Sequence, residues 1–419
     1  GCGFDKEAAK LFLERARNNV GLIIPGIAPL RDTFWGKWLW QNPKMFEDLK
    51  VFMDEIHKTG AKLFIQLTAG MGRSWAITEL VAPLHKNKFT RALVKPIIDT
   101  SHELASPSPQ PSRWAHDIIC PEMTVEQIHE IIEAFAKTAK LCKDAGVDGV
   151  EVHAVHEGYL LDQFAIEFFN KRTDNYGGSF ENRYRFAKEV VTAIKEACGE
   201  DYPVSLRYSV ESKMKGFCEG AMPGEDYVEV GRNMEESERA AKYLQDAGYD
   251  MLNADNGTYD SWYWAHPPMY MPQNCNLDDV AHIRKFVNIP VVCAGRMDPE
   301  VGAAAVAEGK IKLLGAEMDE LYLAEVQAQA VNPDAVKAAS SVLEHRIRAF
   351  AKDIRDKYVA PPYTTDFGIM FLPIEGLYAE VLRISGLAER IQQESRMVIA
   401  GPTTLAALLT SLQMGFRSL

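Results

Sequence analysis

The sequence predicts an α/β fold in the form of a (β/α)8 barrel, and three features of its pattern lead to this prediction. Short apolar runs alternate with amphipathic stretches over the first three-quarters of the chain, which is typical of parallel strands connected by helices. The apolar runs are continuous, as expected for strands that are buried on both faces. Polar residues follow many different runs at their carboxyl ends, which favours a barrel rim over the single switch point of an open sheet.

Each element of this pattern can be placed along the sequence. The six predicted strands are Val20–Pro25, Lys62–Leu67, Gly149–His153, Pro203–Tyr208, Asp250–Asn253 and Ile289–Ala294. The predicted helices are Pro43–Thr59, Thr124–Ala145, Asn182–Cys198, Ser237–Ala247, Leu277–Phe286 and Pro299–Glu308. Thr124 and Gln127 have the spacing of a capping box, which marks the start of the second of these helices.

The alternation of predicted strands and helices ends after Lys310, so we expect a second structural unit there. The segment from Leu313 to Val331 has a helical pattern, and residues 334–358 carry apolar side chains at helical spacing until Pro361 stops it. The predicted elements that follow are a strand, a helix, a strand and a helix at 367–372, 376–393, 397–400 and 403–416. The chain is therefore divided into a barrel over 1–311, a junction over 312–330 and a small α/β unit over 331–419.

Composition and charge exclude several classes of protein. With 47% hydrophobic and 25% charged residues the chain is typical of a globular protein, and it has no apolar run of membrane-spanning length. A formal net charge of -12 makes nucleic-acid binding unfavourable, because such binding needs basic surface that displaces counterions. The seven cysteines include no C-x-x-C pair, which argues against zinc and iron–sulfur sites and favours a reducing, cytoplasmic setting.

The densest group of chemically active side chains follows the third predicted strand, in the segment His153-Ala154-Val155-His156-Glu157-Gly158-Tyr159. Imidazoles can donate hydrogen bonds to a substrate carbonyl oxygen, and a phenol can give a proton to a carbon of enolate-like basicity. His153, His156 and Tyr159 are therefore candidate catalytic residues. The alternatives are a zinc site or two structural histidines, because histidines three residues apart also occur in metal sites.

Two further polar side chains end apolar strands. Arg207 needs an acceptor or anionic partner in so apolar a position, and the pyrimidine edge of a flavin or a buried aspartate would supply one. Gln66 could bond the same ring edge. Arg172 belongs to a charged loop with a glycine pair, where a structural brace is the favoured interpretation and substrate binding the alternative.

The last clear strand ends in the segment Ala294-Gly295-Arg296, at a place where barrels often bind phosphate. A glycine lets a phosphate approach backbone N–H groups, and the arginine adds positive charge. The loop after the preceding strand is crowded with rings that could wall a pocket for a planar substrate or pack among themselves: Trp262, Trp264, His266 and Tyr270.

Taken together, these segments resemble the old yellow enzyme family of NADH:flavin oxidoreductases, closest to its 2-enoate reductase and 2,4-dienoyl-CoA reductase branch. The likeness covers about residues 4–311. The segments that carry it are HAVHEGYLLDQF at 153–164, NKRTDNYGGSFENRYRF at 170–186, VSLRY at 204–208, NADNGTYDSWYWAHPPMYMP at 253–272 and VVCAGRMDP at 291–299.

The resemblance implies a reaction and the residues for it. Hydride would pass from NAD(P)H to FMN and then to the β-carbon of an α,β-unsaturated carboxylate, thioester or enone. Tyr159 matches the family's proton donor, and His153 and His156 match its pair near the substrate carbonyl. The FMN contacts carried over are Gly26, Gln66, Arg207, Gly295 and Arg296. The candidate residues of the substrate pocket are His266, Trp264 and Arg172.

The sequence also departs from that family pattern. The strand expected under the flavin and the last strand, with its phosphate segment, are missing or altered, so we expect an incomplete barrel. Lys312-Leu313-Leu314-Gly315 is at most a remnant of that last strand. The iron–sulfur cysteines and the FAD-binding carboxyl-terminal domain of the branch have no counterpart in the sequence.

The C-terminal part resembles a different family. The segments RIRAFAKDIRDKYVAPPYTTDFGIMFLPIEGLYAEVL at 346–382 and VIAGPTTLAALLTSLQMGFRSL at 398–419 are similar to the RmuC family of DNA recombination proteins. No Asp-x-Lys or Glu-x-Lys, which a nuclease fold of that type needs to hold a metal and a water, follows Leu313. Three hypotheses therefore compete: a flavin ene-reductase acting on a small molecule, a DNA-associated protein, and a chimeric or truncated chain without activity. Oligomer formation is left open.

Overall fold

The computed structural model describes most of residues 4–314 and part of the C-terminal region. Within 4–314 the undescribed residues are 19, 34, 76–87, 97, 157 and 158. The described C-terminal residues are 344, 347–348, 350–352, 354–361, 364–372, 378, 381–384, 386–401 and 404. The chain divides into two compact units, Gly1–Ala316 and Glu317–Leu419. Most of the predicted junction over 312–330 lies outside the described residues.

The strands of the first unit form one large parallel sheet and two small hairpins. In chain order they are β1 (Leu22–Ile23), β2 (Ala28–Pro29), β3 (Lys62–Thr68), β4 (Gln110–Pro111), β5 (Ile119–Cys120), β6 (Gly149–His153), β7 (Val204–Ser209), β8 (Met214–Gly216), β9 (Glu219–Gly220), β10 (Met251–Asp255), β11 (Val291–Cys293) and β12 (Leu313–Leu314). The sheet runs β1-β3-β6-β7-β10-β11-β12, with β2 also paired to β3, while β4–β5 and β8–β9 are antiparallel pairs.

Parallel strands that neighbour one another in chain order are the arrangement of a (β/α) barrel. Within the described residues no hydrogen-bonded pairing joins β12 back to β1, so the barrel is incomplete. The predicted remnant of the last strand does form a strand, because Leu313 and Leu314 pair in parallel with Val292 and Cys293. The prediction that a helix begins at Leu313 is therefore wrong at its first two residues.

Helices follow the strands along the chain. They are α1 (Lys6–Arg17), α2 (Pro43–His57), α3 (Lys88–Val94), α4 (Val125–Asp144), α5 (Tyr159–Ala165), α6 (Phe180–Arg183), α7 (Arg185–Cys198), α8 (Met234–Ala247), α9 (Trp262–Ala265), α10 (Leu277–Ile283) and α11 (Pro299–Ala307). The capping box predicted at Thr124 is present, because the side chains of Thr124 and Gln127 each accept a hydrogen bond from the other's backbone N–H. Each of the six predicted strands and six predicted helices overlaps an element of the same type.

The two faces of the sheet differ in chemistry. The outward face contributes residues such as Val150, Leu206 and Leu252 to the main hydrophobic core, which also contains the inward faces of the helices. The inward face begins with an apolar layer formed by Phe64, Met251 and Val292. Because side chains two residues apart in a strand share a face, the inward residues towards the carboxyl ends lie above this layer, and they are polar.

The second unit contains a parallel pair of strands and a helix. These are β13 (Gly368–Phe371), β14 (Met397–Ala400) and α12 (Leu387–Ser395), which share a small core. The predicted strands are confirmed, and the described residues between 344 and 358 are helical as predicted. The predicted helix 376–393 is interrupted at Gly386, whose φ of 72° is left-handed. Most of the predicted helix 403–416 lies outside the described residues. No helix in the described part of the chain is long and apolar enough to cross a membrane.

Candidate active site

Four polar side chains are paired in register near the carboxyl ends of four neighbouring strands. The strand register pairs Thr68 with His153, His153 with Arg207, and Arg207 with Asn253. They belong to the set of alternate residues that faces the barrel interior. The strand register thus places a hydroxyl, an imidazole, a guanidinium and an amide in one row across four strands, which agrees with the predicted collection of polar residues at the strand ends.

Glu151 lies one layer deeper and is fully buried. It accepts hydrogen bonds from Gln66 Nε2 at 2.6 Å and from Ser205 Oγ at 2.7 Å, and Asn253 Nδ2 donates to both of its oxygens at 3.2 and 3.3 Å. Burial raises the pKa of Glu151, while Arg207 and the three hydrogen-bond donors act in the opposite direction. The sequence analysis did not single out this residue, although a carboxylate inside an apolar strand is a signal that could have identified it.

Arg207 is joined to His156 through a carboxylate. Its Nη1 donates to Asn253 Oδ1 at 2.9 Å, and its Nη2 donates to Asp255 Oδ2. The other oxygen of Asp255, Oδ1, lies 3.3 Å from His156 Nε2. The buried aspartate, one of the two partners considered for Arg207, is therefore present. The other partner considered, the edge of a flavin, would lie at the same rim.

His153 and His156 are both buried, with ring centroids 6.2 Å apart. Burial, followed by His156 and Arg207, lowers the pKa of His153 well below its usual value, so this ring is neutral near pH 7. Its Nδ1 is buried and has no hydrogen-bond partner among the described residues. Buried polar atoms of this kind are rare in proteins and are typical of groups that meet a ligand.

A continuous series of ring contacts runs from the histidine pair towards Tyr159. His156 lies 5.2 Å from His266, which stacks on Trp262 at 4.3 Å. Trp262 stacks in turn on Tyr259 at 4.7 Å, and Tyr259 lies 5.9 Å from Tyr159, all measured between ring centroids. The structure therefore connects Tyr159 to the histidines through three intervening rings.

The hydroxyl group of Tyr159 lies in a separate buried cluster. It donates to Met214 Sδ at 3.9 Å, and burial, followed by the Asp260 carboxylate, raises the pKa of this phenol well above its usual value. Asp260 is itself buried between Arg73 Nη1 and Arg113 Nε, each 3.1 Å away. The sequence analysis did not identify this group, because its members lie far apart in the chain.

A half-open cavity of about 370 Å³ lies beside the carboxyl end of β3. Thr68, Met71 and Trp75 line it together with Arg31 and Glu103. Glu103 is buried, and its Oε2 lies 3.5 Å from Arg31 Nη1. Burial raises the pKa of Glu103 to about 7, against the effect of Arg31. The cavity is therefore a pocket next to the polar rim with a titratable carboxyl group in its wall.

Residues 4–321 match the model of the NADH:flavin oxidoreductase / NADH oxidase family, a span of more than half of the chain. The chain belongs to this family. It is 43% identical over 331 residues to the cinnamate reductase of Clostridium sporogenes, an alignment that covers 77% of this chain and 47% of that protein. The chain thus spans about half the length of the curated relatives that it matches.

Solved structures and a second family model complete the comparison. The 2-naphthoyl-CoA reductase structure, solved with 2-naphthoyl-CoA, superposes with a TM-score of 0.59 at 24% identity over 75% of this chain and 45% of that one. This likeness shows the fold. Residues 320–419 match the RmuC family, and 97 of them are covered at 57% identity by a DNA recombination protein RmuC homologue of Xylella fastidiosa. That alignment covers 23% of this chain and 21% of the homologue.

Membership of the NADH:flavin oxidoreductase family implies a flavin, and the described rim fits the ring system of one. Gln66 and Arg207 present amide and guanidinium donors, and the unpartnered His153 Nδ1 is buried beside them. The exposed Gly26 lies in the loop between β1 and β2, with open space on the side where a Cβ would be. No group of three or more His, Cys, Asp or Glu side chains in the described residues could hold a metal ion.

The family's phosphate segment is partly committed to protein contacts. The space beside the Gly295 Cα is occupied by the side chain of Asn276. Arg296 donates from Nη1 to the carbonyl oxygens of Pro268 and Met271. Contacts within the protein thus set the geometry of this loop.

Two of the predicted pocket residues are hydrogen-bonded to other protein groups. Arg172 is buried and donates to both oxygens of Asp174 and to the carbonyl oxygens of Pro107 and Met123, as expected of the structural brace. Trp264 is buried and donates from Nε1 to the carbonyl oxygen of Ala221 at 2.7 Å. His266, the third predicted pocket residue, contacts the ring of His156.

Proposed function

We propose that the barrel unit binds FMN and reduces the carbon–carbon double bond of an α,β-unsaturated carboxylate, thioester or enone with electrons from NAD(P)H. The observation that carries the proposal is the rim at which His153, Arg207 and His156 meet, in a chain of the NADH:flavin oxidoreductase family. Bound FMN would accept the electrons of NAD(P)H and pass them to the β-carbon of the substrate.

In this proposal Gly26, Gln66 and Arg207 hold the flavin ring, and Gly295 and Arg296 hold its phosphate. A guanidinium stabilises negative charge, and the pyrimidine edge of a flavin becomes negative on reduction. The described contacts of Gln66 and Arg207 keep both side chains fixed against Glu151 and Asp255 before any ligand binds. Such preorganisation lowers the cost of binding and of stabilising new charge.

His153 and His156 are proposed to bind the substrate carbonyl oxygen, with His266 as a further wall of the pocket. Tyr159 is proposed to give a proton to the α-carbon, and its raised pKa keeps that proton on the phenol at neutral pH. Ring contacts through His266, Trp262 and Tyr259 link this phenol to His156.

An aromatic substrate fits the proposed pocket best. His266, Trp262 and Tyr259 stack in series beside His156, and Trp262 is 38% exposed, so a planar ring could stack on this surface. The similarity to a cinnamate reductase supports the same choice. We therefore propose aryl-substituted enoates, with cinnamate as the probe.

The experiment is to purify the chain, supply FMN and measure the flavin released on denaturation. About one FMN per chain is expected, followed by anaerobic reduction with NADH or NADPH and flavin reoxidation on addition of cinnamate. Protein that remains colourless after incubation with FMN would contradict the proposal for this chain. Retention of DNA at physiological salt would instead favour the RmuC-like hypothesis.

A further inference from the structure

We propose that Arg232 is a positioning residue for Tyr159, which it holds in place through a hydrogen bond to Asp162 on the same short helix. Tyr159 is the first residue of α5, and Asp162 follows three residues later, on the next turn. Arg232 and Asp162 are both buried, and Arg232 Nη2 donates to Asp162 Oδ1. The placement of α5 is a property of the chain alone, while its consequence for catalysis rests on the proposed function.

The other nitrogens of Arg232 fix its guanidinium to the barrel. Nη1 donates to the carbonyl oxygen of Ser209, the last residue of β7, at 2.7 Å, and Nε donates to the hydroxyl group of Tyr184 at 2.8 Å. The guanidinium also lies 5.0 Å from the ring centroid of Tyr208. Because a guanidinium is planar and its donors point in fixed directions, these contacts also determine where Asp162 can lie. They therefore set the position of α5 relative to the end of β7.

The last residue of α5 is connected to the same group of side chains. Arg183 Nη1 donates to the carbonyl oxygen of Ala165, and also to Glu236 Oε1 at 2.8 Å. The hydroxyl group of Tyr184, which accepts from Arg232, donates to the same oxygen of Glu236 at 3.0 Å. One network therefore holds α5 both at its middle and at its end.

The length of α5 makes such support necessary. The helix has seven residues, and isolated helices of this length are unstable in water, so tertiary contacts decide where it lies. The phenol of Tyr159 packs against Met214 Sδ and the ring of Tyr259, so a shift of α5 would change what its hydroxyl group faces. A general acid must lie within hydrogen-bond distance of the atom that receives its proton. A displacement of about 1 Å can lower a rate by about 10²-fold.

The hydrogen bond to Asp162 can be separated from the charge of Asp162. Burial raises the pKa of this carboxyl group, while the charge and the hydrogen bond of Arg232 act in the opposite direction. An oxygen of a carboxyl group can accept from the guanidinium in either protonation state. The hydrogen bond therefore places the helix. The charge contributes to stability, because its removal leaves the guanidinium buried without a counter-ion.

Two variants of similar shape make this distinction. Asp162→Leu and Asp162→Asn remove the same charge, and only Asp162→Asn retains an oxygen that can accept from Arg232. Both should lower the midpoint of urea unfolding. Only Asp162→Leu should displace Tyr159, because a merely structural role would affect both variants alike.

Fluorine NMR of the chain labelled with fluorotyrosine measures the displacement, and Tyr159→Phe assigns the signal among the 15 tyrosines. The Tyr159 signal should move in Asp162→Leu and stay close to its wild-type position in Asp162→Asn. An unmoved signal in Asp162→Leu, or equal movement in both variants, would overturn the proposal. If Asp162→Leu does not fold, Arg232→Met combined with it leaves no unpaired charge, and a wild-type signal in that double variant would overturn the proposal as well.

A second measurement separates this inference from the proposed function. The NMR test requires neither flavin nor substrate, so a failure to bind FMN leaves it intact. In flavin-loaded protein, Asp162→Leu should slow flavin reoxidation by cinnamate about 10- to 100-fold, while Asp162→Asn stays near the parent rate. Flavin reduction by NADH should be unchanged in both.

The catalytic effect should pass through the hydroxyl group of Tyr159. In a Tyr159→Phe background, Asp162→Leu should therefore cause no further slowing of reoxidation. Additional slowing there would show that Asp162 acts on the site by another route, against the proposal. A displaced Tyr159 signal with reoxidation at the parent rate would instead contradict the proton-donor role and leave the placement of α5 supported.

Discussion

The side-chain amide of Gln66 on β3 donates a 2.6 Å hydrogen bond to Glu151 on the neighbouring strand β6. Glu151 also accepts from Ser205 on β7 and Asn253 on β10, so one carboxylate connects four adjacent strands of the barrel interior. These donors would otherwise be buried without partners, which costs about 1–3 kcal/mol for each group. The network is thus a structural support for the rim that Gln66 and Arg207 contribute to.

Replacement of Glu151 should test that support. Glu151→Leu leaves the amide and hydroxyl donors around it unpaired, and we expect the free energy of unfolding to fall by on the order of 3 kcal/mol. Glu151→Gln retains an acceptor oxygen and should lose less than half as much. Urea unfolding followed by circular dichroism measures both values. Equal stability of Glu151→Leu and the wild type would show that the network does not support the fold.

The pair formed by Glu103 and Arg31 predicts a pH dependence of stability. Burial raises the pKa of Glu103 to about 7 from a usual value of 4.5, so the folded state binds this proton more tightly than the unfolded state. The associated stability is complete below pH 4.5 and is lost as pH rises through 7. The shift corresponds to about 3 kcal/mol.

Glu103→Gln removes this titration. The unfolding free energy of the wild type relative to this variant should decrease by up to about 3 kcal/mol between pH 5 and pH 8. Glu196→Gln, at an exposed glutamate of α7, serves as the control and should follow the wild type at every pH. Parallel pH profiles for Glu103→Gln and the wild type would show that Glu103 ionises normally in the folded chain.

Six strands and six helices of the first unit could be predicted because each of them leaves a local pattern in the sequence. A capping box, an apolar run and a helical period are all visible within about twenty residues. The Glu151 network could not be predicted in this way, because Gln66 and Asn253 lie 85 and 102 residues from it. Only the register of the parallel strands brings these side chains together.

The candidate site shows the same limit. His153, Arg207 and Gln66 were located from their positions near the strand ends. The structure pairs His153 with Arg207 at the rim and Gln66 with Glu151 one layer deeper. The series of ring contacts that links His156 to Tyr159 could not be foreseen, because its other members come from a later part of the chain. They are His266, Trp262 and Tyr259. Arg172 was correctly interpreted as a brace from the charged residues and the glycine pair around it.

Gly295 offers a test of whether packing sets the phosphate loop. Its φ of 108° is left-handed, and a Cβ would overlap Asn276 Nδ2 and lie 3.3 Å from Pro267 Cγ. Asn276 is fully buried and hydrogen-bonded to the carbonyl oxygen of Ala294, so it cannot move aside without loss. We expect Gly295→Ala to lower the unfolding free energy by about 2–4 kcal/mol.

The matched control for that change is Gly309→Ala. Gly309 also has a left-handed φ, 73°, but no atom lies within 4 Å of its Cβ position. Only the backbone cost remains there, about 1 kcal/mol. Thermal or urea unfolding of the two variants measures the difference. Similar losses in both would mean that the backbone conformation, rather than contact with Asn276, requires glycine at position 295.

The proton-donor role of Tyr159 can be tested by removing its hydroxyl group. In flavin-loaded Tyr159→Phe, reoxidation of the reduced flavin by cinnamate should slow by about 10²- to 10⁴-fold, the usual contribution of a general acid. The phenol holds its proton at neutral pH because burial and Asp260 raise its pKa, and phenylalanine has none to give. FMN content and the rate of flavin reduction by NADH should be unchanged, since Gln66 and Arg207 are untouched. Stopped-flow absorbance resolves the two half-reactions.

Tyr259→Phe is the matched control, because Tyr259 is also buried and packs on Tyr159, while its hydroxyl donates to Met71 Sδ at 3.7 Å. Loss of that hydroxyl should change cinnamate reduction less than tenfold. If the two variants slowed equally, the effect would come from packing along the series of rings. If Tyr159→Phe kept the parent rate, the proton would have another source. His266→Gln would then be the next variant to examine, because His266 is exposed and its ring contacts His156.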